Sequence, residues 1–246
     1  MRDSILHTTL RPVALALAAG LTLAPSLALA AAPAPATIST ATPIAGAARV
    51  IDGDTIVIGE THIRLEGIDA PESAQTCHRR WLGTWNCGAD SAAALRRLTA
   101  GKTTTCDPKG VDKYGRTLAI CFVDRTDINA AMVRQGYAWA FVKYSSLYVQ
   151  EEAAAKADKV GIWQGDAQPA WDFRAHRWSA AEQQAPEGCA IKGNVTRNGR
   201  IYHMPWSPWY NRIRIEPEKG KRWFCSEAEA VAAGWRPAHI NGKSEL

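Results

Sequence analysis

The sequence predicts an α+β fold, in which a small β-barrel of five strands carries three helices and is followed by a small cysteine-containing module. A hairpin is predicted at residues 55–65, where β-branched and alternating polar and apolar residues flank a Gly-Glu turn. Two further strands, 102–106 and 117–123, surround a polar turn at 110–116, and a short aromatic-rich strand follows at 137–142. Strands interrupted by helical segments are typical of a small barrel with inserted helices.

The three helices are predicted from helical composition and from the glycines that follow them. Glycine takes the left-handed conformation that commonly ends a helix. The helices are 89–100 before Gly101, 127–135 before Gly136, and 147–160 before Gly161. Ser145 or Ser146 is expected to cap the third helix.

The first 30 residues have the composition of an export signal. Arg2 and Arg11 give a positive start, residues 13–23 are apolar, Pro25 breaks the run, and Ala-Leu-Ala at 28–30 offers a small-residue cleavage site. We therefore expect export to the periplasm or the medium. An uncleaved membrane anchor is the alternative.

Residues 31–45, rich in Ala, Pro and Thr, are predicted to be a flexible linker. The rest of the chain is hydrophobic enough to form a core, and its 246 residues allow one large or two modest domains. Lys and Arg exceed Asp and Glu, 29 against 24, and this mild excess suits a polyanionic partner.

Four carboxylates stand at the ends of the predicted hairpin. Asp52 and Asp54 precede its first strand, and Asp69 and Glu72 follow its second. Because a hairpin returns its far end close to its start, these acids are expected to converge, and such a cluster needs a hard cation such as Ca²⁺ or Mg²⁺. Arg64 on the return strand adds a positive fork suited to phosphate. Together they suggest metal-assisted phosphodiester chemistry.

Five segments, in order over residues 46–165, resemble the staphylococcal nuclease (thermonuclease) family: VIDGDT, IRLEGIDAPE, DKYGRTLA, NAAMVRQGYA and GIW. The resemblance implies an OB-like five-stranded barrel packed on three helices. It also implies a Ca²⁺-dependent nuclease that hydrolyses phosphodiester bonds of DNA and RNA, single-stranded or locally opened, with low sequence specificity. A monomer is expected.

The resemblance gives the acidic residues their roles. Asp54 and Asp69 are expected to bind Ca²⁺ with the backbone carbonyl of Ala70, a position where the family usually carries a hydroxyl residue. A carbonyl ligand does not depend on the side chain, so this departure is tolerable. Asp52 is expected to order water or the DGDT turn behind the ligands, and Glu72 resembles the family's proposed general base.

The basic and aromatic residues are expected to bind the nucleic acid. Arg64 and Arg116 would clamp the phosphate, while Lys113 and Tyr114 would contact a neighbouring phosphate. Tyr144 would stack on a base, although Val142 stands where the family has a second aromatic residue.

Six cysteines in an exported chain favour disulfides, and none of them has CxxC spacing. Pairing sequence neighbours is the simplest of the fifteen possible arrangements, and the others stay open. The simplest pairs are Cys77–Cys87, Cys106–Cys121 and Cys189–Cys225.

The composition divides the chain into a nuclease domain at 46–166, a connecting segment at 167–188 and a C-terminal module at 189–240. Asn198-Gly199 predicts a hairpin, and a short helix is predicted between Ser226 and Gly234. The module resembles one appended to exported nucleases of this family, and no catalytic role is predicted for it.

The module leaves two alternatives open. Cys189, Cys225, His203 and His239 offer a zinc site, although export favours the disulfide. The module's arginines and aromatic residues offer a surface for envelope polymers.

Two other functions compete with the nuclease. One is a non-catalytic OB-type nucleic-acid-binding protein, which the presence of Arg64, Glu72 and Arg116 argues against. The other is an envelope-binding protein led by the C-terminal module.

Overall fold

The computed structural model describes residues 42–80 and 83–238. The predicted export signal, the predicted linker as far as residue 41, and His239 lie outside the described residues.

The described residues form fourteen strands, several of them only two or three residues long. They are β1 (Ile44–Val50), β2 (Thr55–Ile58), β3 (Thr61–Leu65), β4 (Ile68–Asp69), β5 (Cys77–Arg79), β6 (Gly83–Trp85), β7 (Thr103–Val111), β8 (Thr117–Val123), β9 (Thr126–Asp127), β10 (Trp139–Ala140), β11 (Ile191–Thr196), β12 (Gly199–His203), β13 (Arg222–Phe224) and β14 (Arg236–Pro237). The α-helices are α1 (Cys87–Thr99), α2 (Ile128–Arg134), α3 (Val149–Ala157), α4 (Ala170–Glu182) and α5 (Glu227–Ala232).

Five strands close into a barrel, as predicted. Their order is β3-β2-β1-β7-β8, and β3 then pairs in parallel with β8 to complete the ring. The predicted hairpin is β2–β3, in which Thr55 lies opposite Arg64. The interior is filled by apolar side chains from the strands and from α1 and α2, among them Ile56, Ile63, Leu65, Leu95 and Met132.

The fifth barrel strand is not the one that was predicted. It is β1, whose Ala- and Gly-rich sequence has low strand propensity and which begins at Ile44, inside the segment predicted as linker. The predicted strand at 137–142 is reduced to β10, which pairs with β4 alone among the strands of the described residues. That short pairing places Trp139 opposite Asp69.

The three predicted helices are confirmed as α1, α2 and α3, with small shifts at their ends. Gly101, Gly136 and Gly161 all have positive φ. The expected serine cap of α3 is wrong, because Tyr148 holds the N-cap position without a side-chain hydrogen bond. Ser145 Oγ instead accepts a hydrogen bond from the Leu147 amide, ahead of the helix.

All six cysteines form disulfides, and the neighbour pairing is confirmed. The bonds are Cys77–Cys87, Cys106–Cys121 and Cys189–Cys225. The second bond links directly opposed residues of β7 and β8. The third rules out the zinc alternative, because Cys189 and Cys225 bind each other.

The C-terminal module is a four-stranded sheet in the order β13-β11-β12-β14, with α5 against it. The predicted hairpin between β11 and β12 is present, but its two turn residues are Arg197 and Asn198, and Gly199 begins β12 opposite Thr196. Ser226 caps α5 through a hydrogen bond from the Glu229 amide. Ile191, Phe224 and Trp235 lie in its core.

Helix α4 was not predicted, and it occupies most of the connecting segment. Trp171 in its first turn stacks on Phe141, with ring centroids 5.6 Å apart. This contact fixes α4 to the barrel domain. Within the described residues, no helix is both long and apolar enough to cross a membrane.

Candidate active site

The turn before β2 places Asp54 at the centre of the site. The Asp54 amide donates to Asp52 Oδ1 at 3.1 Å, and the Ile51 amide donates to the Thr55 carbonyl at 2.9 Å. A Cβ on Gly53 would lie 2.1 Å from Ser91 Oγ, so this position needs glycine to let α1 approach the turn. The turn is therefore stabilised by hydrogen bonds within it and by close packing against α1.

Asp54 is buried and accepts hydrogen bonds at both carboxylate oxygens. Oδ1 accepts from Arg64 Nη1 at 2.6 Å and from Thr55 Oγ1 at 3.2 Å, while Oδ2 accepts from the Ala70 amide at 2.7 Å. Arg64 reaches this carboxylate because it lies opposite Thr55 in the β2–β3 hairpin. Its Nη2 donates to Asp69 Oδ1 at 2.7 Å. One guanidinium thus bridges the two acids that were predicted to bind the metal.

Asp69 is fully buried and binds a second arginine that the sequence did not lead us to expect. Arg174, in α4, donates from Nη2 to Asp69 Oδ2 at 2.8 Å and from Nη1 to Asp69 Oδ1 at 3.1 Å. Its Nη1 also lies 2.8 Å from Glu72 Oε1. The three-residue spacing from Trp171 to Arg174 places both on one helical face, but no local pattern in the sequence pointed to Asp69 as the partner of Arg174.

The segment that carries Glu72 is fixed by the start of α1. The Glu72 amide donates to Gln75 Oε1 at 3.1 Å, and the Gly88 amide donates to the Gln75 carbonyl at 3.2 Å. A Cβ on Gly88 would lie 1.8 Å from the Glu72 carbonyl oxygen, so only glycine lets the helix start this close. The Cys77–Cys87 disulfide ties the same two segments together.

The site carries more negative than positive charge. Four carboxylates, of Asp52, Asp54, Asp69 and Glu72, stand against the two guanidiniums of Arg64 and Arg174, an excess of two negative charges when all are ionised.

This excess is reflected in two pKa values. Burial raises the pKa of Asp54 to about 8, and the lowering effect of Arg64 is partly cancelled by Asp52 and Asp69. Burial also raises the pKa of Glu72 to about 7, against the lowering effect of Arg174. The Arg64 guanidinium, 2.6 Å from Asp54 Oδ1, opposes the effect of burial and favours the ionised carboxylate.

The donors fit a hard divalent cation in type and charge. Asp54 and Asp69 offer oxygen ligands of the kind that Ca²⁺ and Mg²⁺ prefer, and two positive charges would balance the excess. Among the described residues, no three His, Cys, Asp or Glu side chains group closely enough to hold a metal ion by themselves. A cation here would therefore need backbone carbonyl or water ligands as well, as expected for Ala70.

Arg116 is held by its own turn. Asp112 Oδ1 accepts from the amides of Tyr114 and Arg116 at 2.9 and 3.0 Å, and its Oδ2 accepts from Arg116 Nε at 2.7 Å. Among the described residues, Asp112 is the one hydrogen-bond partner of the Arg116 side chain, and the bond uses Nε. The two terminal nitrogens of Arg116 have no hydrogen-bond partner among the described residues.

A cavity of about 140 Å³ brings Glu72 and Arg116 together. The barrel contributes Asp52, Thr55, His62, Glu72 and Arg116 to its wall, and the C-terminal module contributes Tyr202, Met204, Trp206, Pro208 and Pro237. The module therefore forms one side of the pocket beside the candidate base, a position that was not predicted for it.

Of the residues predicted to bind the nucleic acid, Lys113, Tyr114 and Tyr144 do not line this cavity. The ring of Tyr114 is covered by Lys113 Nζ and by the Arg116 guanidinium, 4.7 and 5.4 Å from its centroid. Tyr144 is exposed, does not line the cavity, and contacts Phe141 edge-on, with ring centroids 4.9 Å apart. Val142 is also exposed.

Two family models and several known proteins match parts of this chain. The family model described as "Staphylococcal nuclease homologue" matches residues 62–165. An uncharacterized endonuclease of Escherichia coli O157:H7 is 36% identical over 137 residues, which cover 52% of this chain and 82% of the relative. The chain belongs to the staphylococcal nuclease family.

Other staphylococcal nuclease relatives carry different names. Micrococcal nuclease of Shigella flexneri is 32% identical over 145 residues, covering 51% of this chain and 77% of the relative. Succinoglycan biosynthesis protein ExoI of Rhizobium meliloti (strain 1021) is 37% identical over 140 residues, covering 56% and 73% respectively. A second family model, described as ArfC, matches residues 173–237. Arg174 thus lies beyond the match to the nuclease family model.

Proposed function

We propose that this protein is an exported, Ca²⁺-dependent nuclease that hydrolyses phosphodiester bonds of DNA and RNA with low sequence specificity. The observation that carries the proposal is the excess negative charge of Asp54, Asp69 and Glu72, which share Arg64 and Arg174, together with the cavity that Glu72 lines with Arg116. Membership of the staphylococcal nuclease family and the names of several relatives support the nuclease activity. Residues 1–30 and the three disulfides support export.

In this mechanism some groups stabilise negative charge on the phosphate, and Glu72 transfers the proton. Ca²⁺ held by Asp54, Asp69 and the Ala70 carbonyl would supply positive charge to the phosphate. Glu72 accepts a proton from the water as its oxygen bonds to phosphorus, the bond to the leaving oxygen breaks, and that oxygen takes a proton from solvent. The terminal nitrogens of Arg116 bind the phosphate oxygens as negative charge develops on them. Arg64 keeps Asp54 and Asp69 in place and offers its remaining N–H groups to the phosphate.

Several finer points stay predictions. These are the use of both DNA and RNA, base stacking by Tyr144, the monomeric state, periplasmic or secreted location, and an envelope polymer as partner of the module. The pocket wall formed by Tyr202 and Trp206 faces Glu72, so part of the module's aromatic surface serves the nuclease cavity. This observation favours the nuclease over an envelope-binding protein led by the module.

The proposal is tested by digestion of matched DNA and RNA strands with Ca²⁺, Mg²⁺ or excess chelator in parallel. The protein should start at residue 31, with Glu72→Gln as the control for contaminating nuclease. We expect cleavage of both polymers with Ca²⁺ and none with chelator. Binding without cleavage under every condition would instead support the non-catalytic OB-type protein.

Export is tested separately by fractionation of cells that carry the full chain. We expect the protein in the periplasm or the medium, shortened at its N-terminus and with all thiols oxidised. Full-length protein in the membrane fraction would favour the uncleaved anchor.

A further inference from the structure

The nuclease centre comprises the proposed metal-binding and catalytic residues. Arg174 contacts this centre but lies outside the segment of the chain that carries those residues. It lies in α4, while the family match ends at residue 165. Trp171, one turn earlier, packs on Phe141 and against Trp139, with centroid distances of 5.6 and 6.1 Å. Because Trp139 lies opposite Asp69 in the β4–β10 pairing, the helix is fixed directly beside Asp69.

The contacts of Arg174 join a proposed metal ligand to the proposed base. Its guanidinium makes three hydrogen bonds, two to Asp69 and one to Glu72, at 2.8 to 3.1 Å. Among the described residues, it donates the one hydrogen bond that the Glu72 carboxylate accepts. Asp69 is fully buried, and about a fifth of the Arg174 side chain, 22%, is exposed. The arrangement is therefore an interior ion pair rather than a surface contact.

We propose that Arg174 is a positioning residue of the nuclease centre, which holds the Glu72 carboxylate beside Asp69 and limits the affinity of the site for its cation. This inference rests on the proposed nuclease function. It gives one residue of α4, at the start of the region that matches the ArfC model, a role in supporting the proposed catalytic residues.

Two consequences follow from charge and geometry. Without Arg174, the Glu72 carboxylate loses its hydrogen-bond donor and can turn within the adjoining cavity, so the proton acceptor is no longer fixed. The excess negative charge of the site would also rise from two to three, which attracts a cation more strongly. Loss of Arg174 should thus weaken turnover while it tightens cation binding.

The test compares Arg174→Gln and Arg174→Lys with the parent protein. Arg177→Gln is the matched control, because Arg177 lies on the same helix but donates to the Pro205 carbonyl of the module at 3.1 Å. Steady-state kinetics with a small chromogenic phosphodiester gives kcat and KM, and calorimetric titration with Ca²⁺ gives the Kd. Thermal unfolding shows that each variant is folded.

We expect Arg174→Gln to lower kcat by about 10²-fold, with KM changed by less than about threefold, because misplacement of one group by an ångström has an effect of this order. Its Ca²⁺ Kd should fall by at least about threefold. Arg174→Lys keeps the charge but not the bridge, so kcat should fall while the Kd stays within about twofold of the parent. Arg177→Gln should match the parent in both.

A purely structural role for Arg174 would loosen the site and weaken Ca²⁺ binding along with kcat, which would overturn the proposal. Parent kcat in a folded Arg174→Gln protein would also overturn it. If Arg174→Gln does not fold, a parent-like kcat in Arg174→Lys has the same meaning. A parent that binds Ca²⁺ but cleaves nothing contradicts the nuclease function, whereas the change in Kd still tests the effect of Arg174 on the cation.

Discussion

Arg64 Nη1 lies 2.6 Å from Asp54 Oδ1, so the arginine expected to bind phosphate also neutralises a buried acid expected to bind the cation. A lysine at this position cannot bridge Asp54 and Asp69 together. We expect Arg64→Lys to lower kcat by about 10²–10³-fold and also to lower the free energy of unfolding, because one buried carboxylate loses its partner.

Arg116→Lys is the matched comparison for that prediction. Arg116 pairs with Asp112 in a partly exposed turn, and surface ion pairs contribute little to stability. The kcat of Arg116→Lys should fall by a factor in the same range as that of Arg64→Lys. The urea concentration at its unfolding midpoint should stay near that of the parent. Equal stability losses in both variants would show that Arg64 is not the buried bridge described above.

Glu72→Gln should separate chemistry from binding. Glutamine keeps the shape of the side chain but cannot accept the proton from water, and a positioned general base typically contributes about 10²–10⁴-fold. We expect turnover to fall by this factor while nucleotide and Ca²⁺ affinities, measured by calorimetry, stay within a few-fold of the parent. A folded variant that cleaves at the parent rate would remove Glu72 from the mechanism.

His203 gives the C-terminal module a pH-dependent stability. Its side chain is fully buried, Nδ1 lies 3.3 Å from Ser207 Oγ, and Nε2 has no hydrogen-bond partner among the described residues. Burial lowers the pKa of His203 to about 4. Below about pH 6.5 the unfolded imidazole binds a proton that the folded one does not, so stability falls between about pH 6.5 and 4.

The expected loss from His203 is about 3 kcal/mol across that range. Urea unfolding of the parent and of His203→Gln at pH 7.5 and 4.5 measures it, since the variant lacks the titrating group. A stability difference between the two proteins that is the same at both pH values would contradict this assignment.

The Cys77–Cys87 disulfide should matter for activity as well as for stability. It joins β5 to the first residue of α1, next to the backbone of Glu72. Replacing both cysteines with serine should destabilise the protein by about 2–4 kcal/mol and lower kcat. The control is the double replacement of Cys189 and Cys225, which lie in the module. If kcat responds equally to both replacements, the first disulfide has no special role in holding Glu72.

Much of the site could be predicted because its residues lie in short local patterns. The strands of the β2–β3 hairpin follow from β-branched residues around a turn, and the hairpin brings Asp54, Arg64 and Asp69 together. Strand β1 escaped prediction because alanine and glycine carry a weak strand signal. It becomes a strand by pairing on both sides with residues of β2 and β7.

Arg174 could not be predicted from local pattern, since it lies 105 residues along the chain from Asp69. Its position depends on the packing of Trp171 on Phe141, which is decided in the folded protein. The pocket wall formed by Tyr202 and Trp206 also depends on packing between residues that are distant in the sequence. The side chains that were not predicted are therefore those that reach the site through packing between distant segments of the chain.

The acids around Arg64 are proposed to hold Ca²⁺ for phosphodiester cleavage. The most direct test is the rate of DNA cleavage measured against free Ca²⁺, alongside calorimetric Ca²⁺ binding to the parent and to Asp54→Asn. We predict one bound ion, with the same half-saturation for binding and for rate, and loss of both in the folded variant. Undiminished cleavage in excess chelator, or by Asp54→Asn, would contradict it.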